Sequence, residues 1–214
     1  MRAARLCRSR PTPLLETFGS VNFLAHAYLS HGSDQALLGS LMGDFVKGPL
    51  DARDGSALSS ALALHRRIDT YTDAHPIVAV SRSRMSAARR RFAGILVDMF
   101  YDHFLARHWP DYSTVPLNQF TARVYDVLLS HSDELPARLR YIAPHMARAD
   151  WLGSYRHLEA VGAALDRIGN RLKRGNSLLG SIEELVANYA ALEADFRSFF
   201  PEVVRFAKGE EVKK

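Results

Sequence analysis

The sequence predicts an all-α protein that folds as one helical domain. Apolar residues recur three and four positions apart through most of the chain, as on one face of an α-helix, and no segment alternates convincingly as a β-strand. The chain has 214 residues, 47% of them hydrophobic and 24% charged, which is enough for one sizeable core and short for two. We therefore expect a single-domain helical bundle.

Residues 1–20 differ from this domain in composition. Four arginines fall within the first ten positions, two prolines follow, and no helical apolar spacing is present. We expect a loose N-terminal arm, with the helical domain over residues 21–214. The arm resembles an organellar transit peptide in its arginine content, and an over-extended start of the chain is the competing interpretation.

Three helices are predicted in the first third of the chain. Ser33 is a natural N-cap for the second helix, and Gly48-Pro49 is a natural stop after it. Pro76 follows the end of the third helix. We expect these helices over residues 22–31, 33–46 and 58–73.

Five further helices complete the predicted bundle. The first is long and basic, begins with five arginines and becomes apolar at Phe92. Pro110 ends it, because proline lacks the backbone N–H and clashes with the preceding turn. The last helix precedes Pro201 and has the spacing of a core helix. We expect these helices over residues 81–109, 116–130, 136–149, 151–172 and 177–200.

The bulk properties narrow the function classes. The net charge is +5 and the pI about 9.5, which favours an acidic partner or an anionic substrate. Cys7 is the only cysteine, so neither an intrachain disulfide nor a cysteine-rich metal site can form. The sequence contains no run of about 18 apolar residues, so it predicts no membrane span. The first 20 residues lack the apolar core of a signal peptide. We expect a cytoplasmic protein without a membrane partner.

The stretch LHRRIDTYTD, residues 64–73, carries the strongest chemical signal. His65 and Asp69 are four residues apart and so share a helix face, where an imidazole and a carboxylate can bind one divalent cation. Arg66 and Arg67 between them offer planar donors suited to phosphate oxygens. A single histidine or aspartate on a helix is more often solvated or salt-bridged, so the prediction depends on a second stretch.

That second stretch is DMFYDHFLARHW, residues 98–109. Asp98 lies among apolar residues, where an ionised carboxylate is costly unless it is paired or bound to metal. On an ideal helix Asp98 and Asp102 are about 40° apart, but Asp102 and His103 are about 100° apart. The three side chains can bind one ion only if the ion lies between the directions in which they point from the helix. The oxygen and imidazole donors favour Mn²⁺ or Mg²⁺ and the hydrolysis of a phosphoester.

Four motifs in order are similar to the acyl carrier protein phosphodiesterase family: NFLAH at 22–26, GDFVKG at 43–48, HRRID at 65–69 and DMFYDHFLARHW at 98–109. The likeness extends from Val21 almost to the C-terminus. It implies an all-helical protein that resembles a divergent HD-domain phosphohydrolase. It also implies removal of 4′-phosphopantetheine from holo-acyl carrier protein with manganese or magnesium. The usual His-Asp order is reversed at Asp102-His103, so ligands cannot simply be carried over.

We expect a divalent ion held by some of Asp44, His65, Asp102 and His103. We assign catalytic or phosphate-binding roles to His26, Asp69, Asp98, Arg66 and Arg67. Asp69 and Asp98 complete the metal shell or orient the imidazoles, and the arginines or Lys47 steady the phosphate. His26 is the candidate acid for the leaving serine oxygen, with a hydrogen-bonded core histidine as the alternative. For Asp44 the alternative is a helix-end carboxylate paired with Lys47.

Two other functions remain open from the sequence. An HD-like phosphohydrolase acting on a nucleotide or another small phosphoester would need the same centre but no carrier-protein surface. A non-enzymatic nucleic-acid binder would use the arginines between Arg82 and Arg91 on phosphates. We expect no nucleic-acid partner, because no recognised binding motif supports one. These same arginines, at positions 82, 84, 89, 90 and 91, are instead expected to seat the acidic carrier protein.

Overall fold

The computed structural model describes residues 22–30, 32–50, 55–172 and 178–209. These residues form eleven α-helices and no strand, which confirms the all-α prediction. The predicted arm, residues 1–20, lies outside the described residues. The helices are α1 (Phe23–Leu29), α2 (Asp34–Met42), α3 (Ala57–Ala74), α4 (Pro76–Ser83), α5 (Ala93–Arg107), α6 (Leu117–Ser130), α7 (Ala137–Arg148), α8 (Trp151–Ser154), α9 (Leu158–Arg171), α10 (Ile182–Ala187) and α11 (Tyr189–Ala207).

Polar side chains at the N-termini define where three of these helices begin. The Ser33 hydroxyl accepts the Ala36 N–H at the start of α2, as predicted, and Ser56 accepts the Ser59 N–H at the start of α3. His75 caps α4, whose first residue is Pro76. Proline suits a first helical position, where its missing N–H would have no partner. Pro76 therefore begins a helix that the sequence analysis missed.

The predicted helix over 81–109 is wrong as one continuous element. Helix α4 ends at Ser83, and α5 begins only at Ala93, after a short 3₁₀ turn at Arg90–Phe92. Met85 and Phe92, near the two ends of this break, are both buried. The break lets α4 pack against α5 and not extend it, so burial of apolar surface outweighs helical continuity.

Two further boundaries differ from the prediction. The segment 151–172 is divided into α8 and α9, and Asp150, with a φ of 40°, caps α8 by accepting the Gly153 N–H. Pro201 does not end the last helix, because α11 continues to Ala207. Phe200 and Val203 on either side of this proline are buried, and their burial holds the helix together across it.

Helix α5 is the centre of the core. It contacts α1, α4, α8, α9 and α11, and Leu96, Phe100, Phe104 and Leu105 on it are fully buried. A helix that is apolar on every side must be surrounded by other elements. Asp102 and His103 on this helix are therefore placed deep in the protein. In the described part of the chain, no helix has both the length and the apolar composition needed to cross a bilayer.

Helices α2 and α3 approach each other closely at Gly39. A Cβ atom at this position would lie 2.5 Å from the Leu58 carbonyl oxygen and 2.7 Å from the Ala61 Cβ. The missing side chain therefore sets the distance between the two helices.

We expect Gly39→Ala to lower the free energy of unfolding by about 1–3 kcal/mol, the usual cost of overpacking. Helix propensity alone predicts a gain of about 1 kcal/mol for the same change. Urea denaturation followed by circular dichroism shows whether the substitution lowers or raises the free energy of unfolding. Gly94→Ala in the first turn of α5 is the matched control, because its nearest new contact is an ordinary 3.9 Å. An equally stable Gly39→Ala protein would contradict the steric explanation.

Candidate metal centre

Two imidazoles and one carboxylate from α1 and α3 form a compact cluster. The His26 Nε2–H donates to one oxygen of Asp69 at 3.0 Å, and His65 Nε2 lies 3.2 Å from the other oxygen. The ligand atoms of the three residues all lie within 4.8 Å of one another. The predicted pair His65 and Asp69, one turn apart on α3, thus meets His26 from a different helix.

Asp44 extends the cluster from the turn that follows α2. Its Oδ1 lies 3.7 Å from His65 Nε2. Gly43 makes this approach sterically feasible, since a Cβ on it would lie 2.2 Å from atoms of the His65 ring. The sequence GDFVKG therefore places a small residue against the imidazole and a carboxylate directly after it.

A backbone hydrogen bond fixes the His65 tautomer. Its Nδ1 lies 2.7 Å from the Ser40 carbonyl oxygen, which can only accept, so Nδ1 carries a proton. The other ring nitrogen, Nε2, faces the carboxylates of Asp69 and Asp44. A neutral imidazole would direct a lone pair at these anions, so the site requires a cation at this point, either a proton or a metal ion.

The pKa shifts follow from this arrangement. Burial alone would lower the pKa of His65, but Asp44 and Asp69 outweigh it and raise the pKa to about 9. Burial lowers the pKa of His26, and the adjacent His65 lowers it further. The two rings stack with centroids 3.8 Å apart, so only one can carry a positive charge at low cost. Burial would raise the pKa of Asp69, but both imidazoles hold it below its ordinary value.

The cluster fits a divalent metal ion. Ligand atoms at about 2.1 Å from one ion stand about 3.0–3.5 Å apart, close to the separations found around Asp69. His26 Nδ1 is buried without a hydrogen-bond partner, and His65 Nε2 is buried facing the carboxylates of Asp69 and Asp44. If His26 bound metal through Nε2, the ion would replace its hydrogen bond to Asp69, and the proton could move to Nδ1, where no existing partner would be displaced. The donated Nδ1–H of His65 is the second interaction usual for a metal-binding histidine.

Asp102, a predicted ligand, lies outside this cluster. It is completely buried, and its two oxygens accept the N–H groups of Leu24 and Ala25 at 2.9 Å each. Burial raises the pKa of Asp102 well above its ordinary value, although these two N–H groups favour the ionised form. Asp102 therefore caps the N-terminus of α1 from another helix, and no oxygen is directed at the imidazoles.

His103, the other predicted ligand from α5, is also occupied elsewhere. Its Nδ1–H donates to the Tyr155 carbonyl at 2.7 Å, so Nε2 accepts from the Tyr189 hydroxyl at 3.0 Å. Both nitrogens are used, and burial lowers the pKa of the ring. A neutral histidine with two internal partners has no lone pair left for a metal ion.

The predicted phosphate-binding arginines have other contacts. Arg66 donates to the carbonyls of Gly48 and Val46 at 2.8 and 3.0 Å, which ties the Asp44 turn to α3. The Arg67 guanidinium lies 5.3 Å from the centre of the Phe206 ring. Lys47 is exposed. None of these contacts places a guanidinium among the imidazoles and Asp69.

A family model described as acyl carrier protein phosphodiesterase matches residues 21–203, which include all four motifs. The chain belongs to this acyl carrier protein phosphodiesterase family. The resemblance seen in the sequence is thus confirmed, whereas the relation to HD-domain proteins stays a prediction. No solved structure matches the chain.

Curated members of the acyl carrier protein phosphodiesterase family cover nearly the whole chain. A protein of that name from Serratia proteamaculans is 33% identical over 193 residues, 90% of this chain and 100% of its own length. One from Yersinia pestis is 33% identical over 195 residues, with the same coverage. One from Escherichia coli O157:H7 is 33% identical over 185 residues, 86% of this chain and 96% of its own.

Arg82, which the sequence analysis expected only to seat the carrier protein, also lines a cleft beside Asp69. This open cleft of about 210 Å³ is lined by Asp69, Asp98 and Arg82 among others. Arg82 pairs with Asp73, which lies one turn beyond Asp69 on α3. No local pattern distinguishes Arg82 from the other arginines nearby, because its position depends on the break between α4 and α5.

We expect Asp102→Ala to lower the free energy of unfolding by about 2–5 kcal/mol, since it leaves two N–H groups of α1 unpaired in the interior. Asp102→Asn should have an intermediate effect, because one acceptor oxygen remains. Asp98→Ala, a half-buried carboxylate on the same helix, is the matched control and should cost less. Urea titrations of the three variants test this order. A stable Asp102→Ala protein would contradict the capping role.

Proposed function

We propose that this chain hydrolyses the phosphodiester that joins 4′-phosphopantetheine to holo-acyl carrier protein and releases the apo-carrier. The cluster of His26, His65 and Asp69, with Asp44 beside it, is the observation that carries this proposal. The family's curated members bear the name of this activity. The cytoplasmic location stays part of the proposal.

Four side chains are proposed to hold a divalent ion: His26, His65, Asp69 and Asp44. The set has two imidazoles and two carboxylates and no thiolate, which suits Mn²⁺ and, less strongly, Mg²⁺. Such an ion, when bound, lowers the pKa of water and neutralises charge on phosphoryl oxygens. Asp102 and His103 are not proposed as ligands, because their polar atoms are bonded to other groups.

The chain's own residues give the centre its geometry. Asp69 uses one oxygen for each imidazole, so it sets the angle between the two rings as well as their separation. The Ser40 carbonyl holds His65 in one tautomer. Asp98 lines the same cleft as Asp69, and we assign it to proton exchange with the leaving serine oxygen. Asp98 replaces His26 as the proposed acid, because the His26 Nε2 atom is directed at Asp69.

Phosphate binding is proposed for Arg82 in place of Arg66 and Arg67. Arg82 lines the cleft together with Asp69 and Asp98, and Asp73 holds its guanidinium in position. A planar guanidinium offers paired donors to a phosphate and keeps its charge at every relevant pH. Arg66 instead acts on the centre indirectly, through the turn that carries Asp44.

The proposal is tested with holo-acyl carrier protein, the chain and Mn²⁺, by weighing the carrier by mass spectrometry. We expect its mass to fall by that of phosphopantetheine, and chelation to stop the loss reversibly. His65→Ala should abolish turnover and Mn²⁺ binding measured by calorimetry. His145→Ala is the control, because His145 is exposed on α7, which packs mainly against α6 and α8.

Three outcomes would count against this function. Release that continues in excess chelator would remove the metal from the mechanism. Tight Mn²⁺ binding by the His65→Ala protein would move the ion elsewhere. Hydrolysis of nucleotides or other small phosphoesters, with holo-carrier left intact, would favour the small-molecule phosphohydrolase.

Arg82→Ala should reduce kcat/KM for holo-carrier about 10- to 100-fold, the loss expected for hydrogen bonds to a charged group. Mn²⁺ binding should be unchanged, because Arg82 is not among the proposed ligands. Arg67→Ala is the matched control, since its guanidinium lies over Phe206. Equal kinetics in the two variants would remove Arg82 from phosphate binding.

A further inference from the structure

The cleft beside the proposed metal centre continues outward as a groove. Its inner part includes Asp69 and Asp98, and its outer part, of about 690 Å³, includes Arg90. Both parts are bordered by Asp73, Arg82 and Gly94. The two parts are therefore adjacent, and the outer one reaches the exposed Arg90.

Three of the five arginines between positions 82 and 91 are engaged by acidic side chains of the protein itself. Arg82 pairs with Asp73, and Arg84 donates to both oxygens of Asp195 at 2.9 and 3.2 Å. The Asp195 pair joins α4 to α11, because Ser81 also donates to this carboxylate at 2.8 Å. Arg84 is thus part of the fold and is not available to a partner.

Arg89 is engaged in the same way by the segment before and within α10. Its guanidinium donates to the Leu179 carbonyl at 3.3 Å and lies 3.8 and 3.7 Å from carboxylate oxygens of Glu183 and Glu184. Its side chain is only 17% exposed. The sequence analysis treated all five arginines as equivalent, but Arg89 holds the turn between α4 and α5 against α10.

Arg90 and Arg91 differ from these three. Both are exposed on the 3₁₀ turn before α5, and neither makes an ion pair with the residues that the structure describes. The Arg91 guanidinium lies 4.5 Å from the centre of the Phe92 ring, which limits its freedom before any partner binds. Two exposed cations held on a short rigid turn suit the carboxylates of an acidic protein.

We propose that Arg90, at the outer end of the groove, and the adjoining Arg91 form the docking surface for an acidic carrier protein. The inference rests on the proposed function, which places the carrier's phosphodiester beside Asp69 and Asp98. Arg90 precedes Asp98 by eight residues, about 12 Å at the helical rise. A folded carrier protein is too large to enter the groove. Acidic residues of the carrier that lie within about 12 Å of its modified serine would therefore contact Arg90 and Arg91.

The test compares two double charge reversals in steady-state hydrolysis of holo-acyl carrier protein with Mn²⁺. We expect Arg90→Glu with Arg91→Glu to raise KM at least 10-fold at low salt, with a smaller change in kcat. Exposed charges are screened within about 10 Å at 0.1 M salt, so the difference from wild type should shrink as salt rises. Arg138→Glu with Arg148→Glu, on the exposed face of α7, changes the net charge equally and should leave KM unaltered.

Two further measurements and one further variant keep the test decisive. Thermal unfolding shows whether each variant is folded. The variant Arg90→Gln with Arg91→Gln removes the charges without reversing them and should give a smaller rise in KM. Hydrolysis of bis(4-nitrophenyl) phosphate reports on the centre without a carrier. The ratio of kcat/KM for the carrier to that for this diester should fall only in the Arg90 and Arg91 variants.

The outcomes separate this inference from the function on which it rests. If wild-type protein leaves holo-carrier intact, both are wrong. If wild type releases phosphopantetheine but both double reversals give the same KM, the docking surface alone is wrong. A nucleic-acid partner is indicated instead if carrier kinetics are unchanged while affinity for duplex DNA falls only in the Arg90→Glu, Arg91→Glu protein.

Discussion

The hydrogen bonds from the N-terminus of α1 to the Asp102 carboxylate are the constraint on which the centre depends. Helix α1 has seven residues, and Asn22 at its start does not cap it with its side chain. A helix this short has little stability of its own, so its N-terminal N–H groups need a partner from elsewhere. Asp102 supplies that partner from α5, the most buried helix. His26 follows directly after the two bonded residues, so its position relative to α3 is set from the core.

The other half of the centre depends on steric fit and not on a buried carboxylate. Gly39 and Gly43 lie one turn apart, and a Cβ on either would collide with α3 or with the ring of His65. Between them, Ser40 offers its carbonyl to His65 and its hydroxyl to the His26 carbonyl. One turn of α2 thus contacts both imidazole-bearing helices. Its small residues and its backbone do this, which is why the segment appears chemically silent in the sequence.

Sequence periodicity could predict only the part of the site that lies within one helix. His65 and Asp69 share a face of α3 because they are four residues apart, and this needs no tertiary information. Asp98, Asp102 and His103 show the same signs of a site, acidic and imidazole groups in apolar surroundings. Asp102, however, bonds to backbone 78 and 77 residues away, and no local pattern reveals such a partner. The helical class was equally predictable, but the break before α5 depends on burial of Met85 and Phe92.

The surroundings of two buried histidines, His65 and His103, explain why they have opposite chemistry. His103 meets a carbonyl and a hydroxyl, so it is neutral and complete without any cation. His65 meets a carbonyl on one side and two carboxylates on the other, so one positive charge must lie between them. A pKa of about 9 means that a proton supplies this charge at neutral pH when no metal is bound. Displacing that proton at pH 7 costs about 3 kcal/mol, which a bound divalent ion would offset through its stronger attraction to Asp44 and Asp69. The same two carboxylates therefore balance a proton when no metal is bound and, in the proposed function, would favour a doubly charged ion over a singly charged one.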